Sequence, residues 1–453
     1  MSQKRREIDF TADELVETLL SFEQISLLDS GGQTHGDSHL LIAGFRPVKV
    51  LEDCELRSLD GELNFKPTVN PKSEIRNPKS ENLACIATFS YDFGLRFENL
   101  KPRKKEFQNF DEPDVFLAFY ENLVVYDYLQ QKAFLVGENL EKAEEILRKA
   151  KSNRAQFADC ELSEKINLTS NFSPETYCQA VETIKEHIRC GDIYQANLTQ
   201  QFRAQLPPDF TPAQTFLRLR RTHPAPFGAF IKRRHDTVIS ASPERFLQVK
   251  NQTVIAAPIK GTRKRGKNLF EDEKLRQELI NSEKDRAENV MIVDLLRNDL
   301  GRVCEFGSVT VEKLCAIEEH PTLFHLVSTI RGKLRQNTKF SDLLKAAFPC
   351  GSITGAPKIR AMQILDEIET APRGLSMGAI GYFGFDNEID LNVAIRTMVI
   401  RDQNAIFNVG GGIVIDSVPE LEYEESLIKA QALLNALQVS NKGKINLPFR
   451  GRL

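Results

Sequence analysis

The chain has 453 residues, 41% of them hydrophobic and 27% charged, with a formal net charge of −3. That length suits two or three domains or one large composite core, and the composition is that of an ordinary globular protein. The charge balance gives no ground for a nucleic acid or an anionic membrane surface as partner, and no apolar run reaches the ~18 residues that span a bilayer.

The opening MSQKRREIDFTADELVETLL is basic but lacks a following apolar core and a small-residue cleavage site, so it does not read as a secretory signal. Cys54, Cys85, Cys160, Cys178, Cys190, Cys304, Cys315 and Cys350 are scattered, with no CxxC pair and no Cys/His ligand spacing. Reduced thiols in a cytoplasmic protein are expected, not a disulfide frame or a zinc site. Residues 1–150 form the first predicted domain. Strand-like runs there include HLLIAGF (39–45), ACIATFSYDFG (84–94) and VFLAFYENLVVYDY (115–128), and KAFLVGENLEKAEEILRKAKSN reads as a strand followed by an amphipathic helix. The near-repeat NPKSEIRNPKSEN marks an exposed insertion at 70–82, and the polar stretch 151–171 reads as a linker.

The second predicted domain runs from 172 to 440, with a tail at 441–453. FSPETYCQAVETIKEHIRC opens on a Ser173-Pro174 cap, and Tyr177, Val181, Ile184 and Ile188 follow helical spacing. Gly191-Asp192 ends that helix. Strands and helices then alternate at uneven spacing without a βαβ rhythm or a GxGxxG, which predicts a mixed α+β domain.

Two helix-like segments place acids three residues apart: Asp285 with Glu288, and Glu422 with Glu425. Residues i and i+3 share a helix face, so two such faces meeting would make an all-oxygen site of the kind magnesium takes. A solvated acidic face is the alternative for either pair alone. Gly410-Gly411-Gly412 inside a β-rich run leaves room for a ligand or a close backbone, and could equally be a β-bulge. In FPCGSITGAPKIRAM, Ser352, Thr354 and backbone amides precede a helix whose N-terminus could hold an anion. Arg396 sits inside an apolar strand, where it needs a partner: a substrate carboxylate or a structural ion pair. In APIKGTRKRG (257–266), Lys260 is either the first of a solvated basic turn or an inward-pointing reactive amine.

Taken together, GDIYQANLTQ, SASPERF, APIKGTR, DRAENVMIVDLLRNDLGRV, FHLVSTI, FPCGSITGAPKIRAM, AIRT and GGGIVIDSVPELEYEES resemble the chorismate-utilising enzymes. These include the large subunits of anthranilate and aminodeoxychorismate synthases and the isochorismate and salicylate synthases. The resemblance is dense over about 172–437 and weaker before it, through SLLDSGG and FSYDFG. It implies a two-subdomain α+β sandwich of large, mainly antiparallel sheets with helices outside. It also implies chorismate as substrate and Mg2+ as cofactor, held by Glu288 and Glu425 with Asp285 and Glu422 beside them. Glu244 matches the general acid that protonates the departing C4 hydroxyl, a role that requires it to hold a proton. Arg396, Gly410, Gly411, Gly412 and Lys429 would hold the substrate's carboxylates. His325 matches a family position whose role stays open against that of a packed core histidine.

Two positions separate the branches. Gln195 stands where water-adding members resemble one another in a lysine base, so ammonia is the expected nucleophile. Lys260 in PIKGT resembles the aminodeoxychorismate branch, where anthranilate synthases typically show alanine. The resemblance therefore implies a buried, nucleophilic Lys260 that attacks chorismate, with the anthranilate branch as the alternative. Arg263, Lys264 and Arg265 would help keep its amine neutral. No glutaminase signature is visible, nor room after 440 for a fused lyase, so ammonia is expected from a separate glutamine amidotransferase subunit. Ser376 replaces an aromatic residue frequent in relatives, which puts one substrate contact in doubt. Ser30 in LLDSGG matches the lining of a pocket that can hold tryptophan in this family.

Overall fold

The computed structural model describes residues 4–33, 38–63, 83–98, 100, 105–107, 110–152, 166–320 and 323–439. The predicted insertion at 70–82 and the tail at 441–453 lie outside the described residues. Two large sheets carry the fold. The first has twelve strands, in the order Lys4–Ile8, Lys132–Gly137, Asn122–Asp127, Leu40–Phe45, Ile25–Asp29, Phe227–Lys232, Thr237–Ser242, Thr397–Arg401, Asn404–Ile413, Gln195–Gln205 and Gly355–Ala356, with Asn167–Ser170 beside Gln195–Gln205. The second has ten, running from Ile259–Lys264 through Leu323–Lys333, Thr253–Ala257, Arg245–Lys250, Ile389–Val393, Ala379–Phe383, Ala84–Phe89 and Val115–Tyr120 to Lys49–Glu52, with Thr310–Glu319 beside Leu323–Lys333. Every strand pair among the described residues is antiparallel.

The expected sandwich is present. Successive side chains on a strand point to opposite faces. Phe230 and Met398 therefore pack outward against helices, while their neighbours Ile231 and Val399 join Ile86, Ala118 and Ile380 in the layer between the sheets. Outer helices cover each sheet. The Glu283–Gly301 helix buries Ile292, Val293, Leu296 and Leu300 in the core of the second sheet. The Pro419–Ala436 helix buries Ala430, Leu433 and Leu434 against the first. The predicted helix after Ser173 spans Pro174–Arg189, with Ser173 and Thr176 forming a reciprocal cap.

Strands from 1–150 enter both sheets, so the predicted boundary near 150 divides the sequence but not the sheets. Part of the predicted linker, Asn167–Ser170, is itself a strand. Among the described residues no helix is long and apolar enough to cross a membrane, and the seven described cysteines are free thiols.

Candidate active site

The site forms where the chain passes from one sheet to the other. Glu244 lies between Thr237–Ser242 of the first sheet and Arg245–Lys250 of the second. Arg396 lies between Ile389–Val393 of the second and Thr397–Arg401 of the first. The two crossovers are stitched together. Val393 N–H donates to the Glu244 carbonyl (3.0 Å), Ala241 N–H to the Arg396 carbonyl (3.0 Å), and Ser242 Oγ to the Val393 carbonyl (2.6 Å). Arg245 clamps Asp390 through two 2.9 Å bonds just beyond Glu244. Glu244 is 4% exposed, so its side chain is held inside the protein. Arg396 has φ +49°, the strained left-handed region for a side chain of this size. Among the described residues its guanidinium makes no ion pair, and burial lowers its pKa. The structural ion pair weighed for it is absent there, which leaves a half-buried cation available to an anionic ligand.

Lys260 is aimed by a bulge. The register between Ile259–Lys264 and Leu323–Lys333 shifts between Ile259 and Thr262. Gly261, at φ +84°, occupies the bulge, where a Cβ would meet Asp285 and Leu279 at 2.9 Å. Such an irregularity redirects a side chain. Lys260 Nζ donates to the Ser352 carbonyl (3.1 Å), and its charge acts on both Glu288 and Glu425. It is half-buried rather than buried as expected, because its strand ends the second sheet. The flanking Arg263 does not face it alone: its guanidinium pairs with Asp285 at 3.0 Å.

Glu244 and Lys260 converge on the loop 350–354. Cys350, whose thiol burial pushes up to about 12, also feels the Glu244 carboxylate. The hydroxyls expected to bind an anion brace this loop: Thr354 Oγ1 donates to the Cys350 carbonyl (3.1 Å), and Ser352 Oγ lies 3.3 Å from Cys350 Sγ. Arg373, unremarked in the sequence, fastens the loop to the neighbouring strand. It donates to the Ile353 carbonyl (2.8 Å) and the Asn197 carbonyl (2.7 Å), and pairs with buried Glu369 (2.8 Å). Glu369 in turn accepts from Thr199 N–H (2.8 Å).

The two acid helices approach each other from opposite sheets. Burial raises the pKa of Glu288, assisted by Asp285 and Glu422 and opposed by Lys260 and Lys284. Burial would raise that of Glu425 too, but Lys429 and, beyond it, Lys284 and Lys260 outweigh this and leave it lowered. Lys429 Nζ lies 2.8 Å from Glu425 and donates to the Gly410 carbonyl (2.9 Å). Glu422 accepts from Ser417 Oγ (2.7 Å) and lies 3.6 Å from Lys284 Nζ. The glycine strand faces this cluster: a Cβ on Gly411 would lie 3.4 Å from Glu422 and 3.8 Å from Glu425. Among the described residues no three of the carboxylates converge closely enough to hold a metal ion as they stand. Lysine ammonium groups balance them instead, and Asp285 turns to Arg263. The all-oxygen donor set and its charge suit a hard divalent cation.

Gln195 is 1% exposed, and among the described residues both polar atoms of its carboxamide lack hydrogen-bond partners. It lies over Gly412. His325 is buried, with Nδ1 2.9 Å from Thr262 Oγ1 and its ring edge-on to His320. Ser376 is buried and structural: its Oγ donates to the Thr397 carbonyl (3.3 Å) and accepts from Asn408 N–H (3.2 Å). Ser30 belongs elsewhere. It lines a cavity of about 230 Å³ between the two sheets, with His39, Phe227, Lys250, Tyr382 and Asp390, and its buried Oγ has no hydrogen-bond partner among the described residues.

The chain matches the chorismate binding enzyme family over residues 25–435. It is 38% identical to aminodeoxychorismate synthase component 1 of Escherichia coli K12, over 91% of this chain and 93% of that protein. It is 39% identical to anthranilate synthase component 1 of Acetivibrio thermocellus, over 79% and 75%. The crystal structure of anthranilate synthase component I from Streptococcus pneumoniae superimposes with a TM-score of 0.73 at 31% identity, covering 88% of this chain and 93% of that one. The crossovers, the paired acid helices and the glycine strand thus belong to a chorismate-utilising enzyme, and the chain is a member of the chorismate binding enzyme family.

Proposed function

We propose that the chain is the chorismate-aminating component I of an aminodeoxychorismate synthase, converting chorismate and ammonia to 4-amino-4-deoxychorismate for 4-aminobenzoate and folate synthesis in the cytoplasm. The observation that carries this reading is Lys260. Its amine reaches the 350–354 loop beside Glu244 and is sensed by both acid helices. Lys260, once its ammonium proton has passed to solvent, attacks C2 of chorismate through the freed lone pair. The double bonds shift, the C4–O bond breaks, and Glu244 gives its proton so that water leaves. Ammonia then attacks C4, the double bonds shift back, and the Lys260 amine departs from C2. The enolpyruvyl group stays attached. Arg396, Lys429 and the Gly410–Gly412 strand hold the carboxylates, and Gln195, which is not a base, leaves the nucleophile to be ammonia.

Glu288 and Glu425, with Asp285 and Glu422, are the residues that would hold magnesium. When bound, the ion offsets their charge and withdraws electrons from the substrate carboxylate. Support for a separate glutamine amidotransferase subunit as ammonia source comes from relatives named as component 1. The Ser30 cavity is proposed to take a small amphiphilic ligand of the tryptophan type. The second reading, an anthranilate synthase component I, is favoured by relatives of that name at equal identity and opposed by Lys260. Lys260→Ala tests the choice. It should abolish amination and remove a chorismate adduct, formed with loss of water, from the intact-mass spectrum. Wild-type amination by the variant would rule out the covalent role.

A further inference from the structure

Lys284 has no role in the chemistry above, yet it stands in the gap between the acid helices. It lies one helical turn before Glu288 and shares that residue's face. Its Nζ reaches across to Glu422 on the other helix at 3.6 Å. The two partners differ in freedom. Glu422 is 5% exposed and fixed by Ser417, whereas the Lys284 side chain is 54% exposed on a long, flexible stem.

We infer that Lys284 is a resident counter-ion of the acid cluster alongside Lys429: its ammonium balances Glu422 when no divalent cation is bound and swings to solvent when one enters. The inference rests on the reading of these acids as a magnesium site. It accounts for a cluster that is rich in carboxylates but has no three of them converged among the described residues. A tethered ammonium repels an incoming cation and competes for the same oxygens, so Lys284 weakens metal binding while stabilising the metal-free state.

The test is calorimetric titration of MgCl2 into the metal-stripped full chain, comparing wild type, Lys284→Met and Lys284→Arg. Partial exposure limits the effect to about fivefold. Lys284→Met should bind Mg2+ about that much more tightly, melt at a lower temperature without metal, and gain more from added Mg2+. Lys284→Arg, which keeps the charge, should stay close to wild type. Unchanged or weaker Mg2+ binding by Lys284→Met would overturn the inference and make Lys284 a brace for Glu422 or a substrate ligand. Failure of the wild type to bind Mg2+ would overturn the metal reading itself, and with it this inference. The first failure appears in the variant alone, the second in the wild type.

Discussion

A Cβ placed on Gly412 would stand 2.1 Å from Nε2 of Gln195. Gln195 thus lies directly over the glycine strand, and the strand's third glycine makes room for it. The obstacle is the tip of a flexible side chain, so Gly412→Ala should push Gln195 aside and leave the fold intact. A stability loss below about 1 kcal/mol is expected, with a clear fall in kcat/KM for amination. Gly410 differs: its Cβ would meet the Leu198 carbonyl oxygen at 1.9 Å, and backbone cannot step aside. Gly410→Ala should cost at least about 2 kcal/mol in urea titrations. Equal stability losses for the two variants would contradict this distinction.

Asp92 gives a pH dependence of defined sign. Burial, aided by the Asp114 and Glu112 carboxylates and opposed by the Gly374 N–H it accepts, pushes its carboxyl up to about 7. The folded state therefore holds a proton that the unfolded state has lost above its ordinary pKa of 3.8. The stability this contributes is fully present below pH ~4 and is lost as pH rises through about 7, on the order of 3 kcal/mol after allowance for partial exposure. Asp92→Asn should remove that slope. Denaturation at pH 5 and pH 8 should show a larger drop for wild type than for the variant, and parallel profiles would refute the assignment.

Ser30 presents to the inter-sheet cavity a buried hydroxyl with no hydrogen-bond partner among the described residues. Without ligand, Ser30→Ala should be neutral or up to about 1 kcal/mol more stable, since an unsatisfied polar group is removed. If the cavity takes tryptophan through that hydroxyl, added L-tryptophan should raise the melting temperature of wild type more than that of the variant. An equal shift would take Ser30 out of the ligand's contacts.

Arg373 is charged, 2% exposed and bonded to Glu369, Ile353 and Asn197 at once. Arg373→Met leaves Glu369 buried without its cation and strips two carbonyls of a donor. A loss of about 3–5 kcal/mol is expected in urea unfolding. A loss under about 1 kcal/mol would show that the loop 350–354 does not depend on this anchor.

Local patterns carried the strands at 39–45 and 115–128, the Ser173 cap and the i,i+3 acid faces, because these depend on periodicity and capping within one segment. Glu244 and Arg396 were legible as candidates only through motif and an expensive charge. What explains them, the passage between sheets, involves strands about 150 residues apart. Long-range pairing also hid Lys284, an ordinary surface lysine until Glu422 arrives from another helix. Arg373 followed a proline in a loop with no periodic signal. Helix spacing and the family resemblance both point to Asp285, but neither shows Arg263, which pairs with it at 3.0 Å across the Gly261 bulge.

The most direct test of the proposed activity is to incubate the purified chain with chorismate, Mg2+ and excess ammonium while following chorismate loss and pyruvate release together. Chorismate should disappear without pyruvate, giving a product that an added lyase converts to 4-aminobenzoate. Pyruvate released in step with a fluorescent anthranilate product would contradict the account and leave Lys260 without its assigned role.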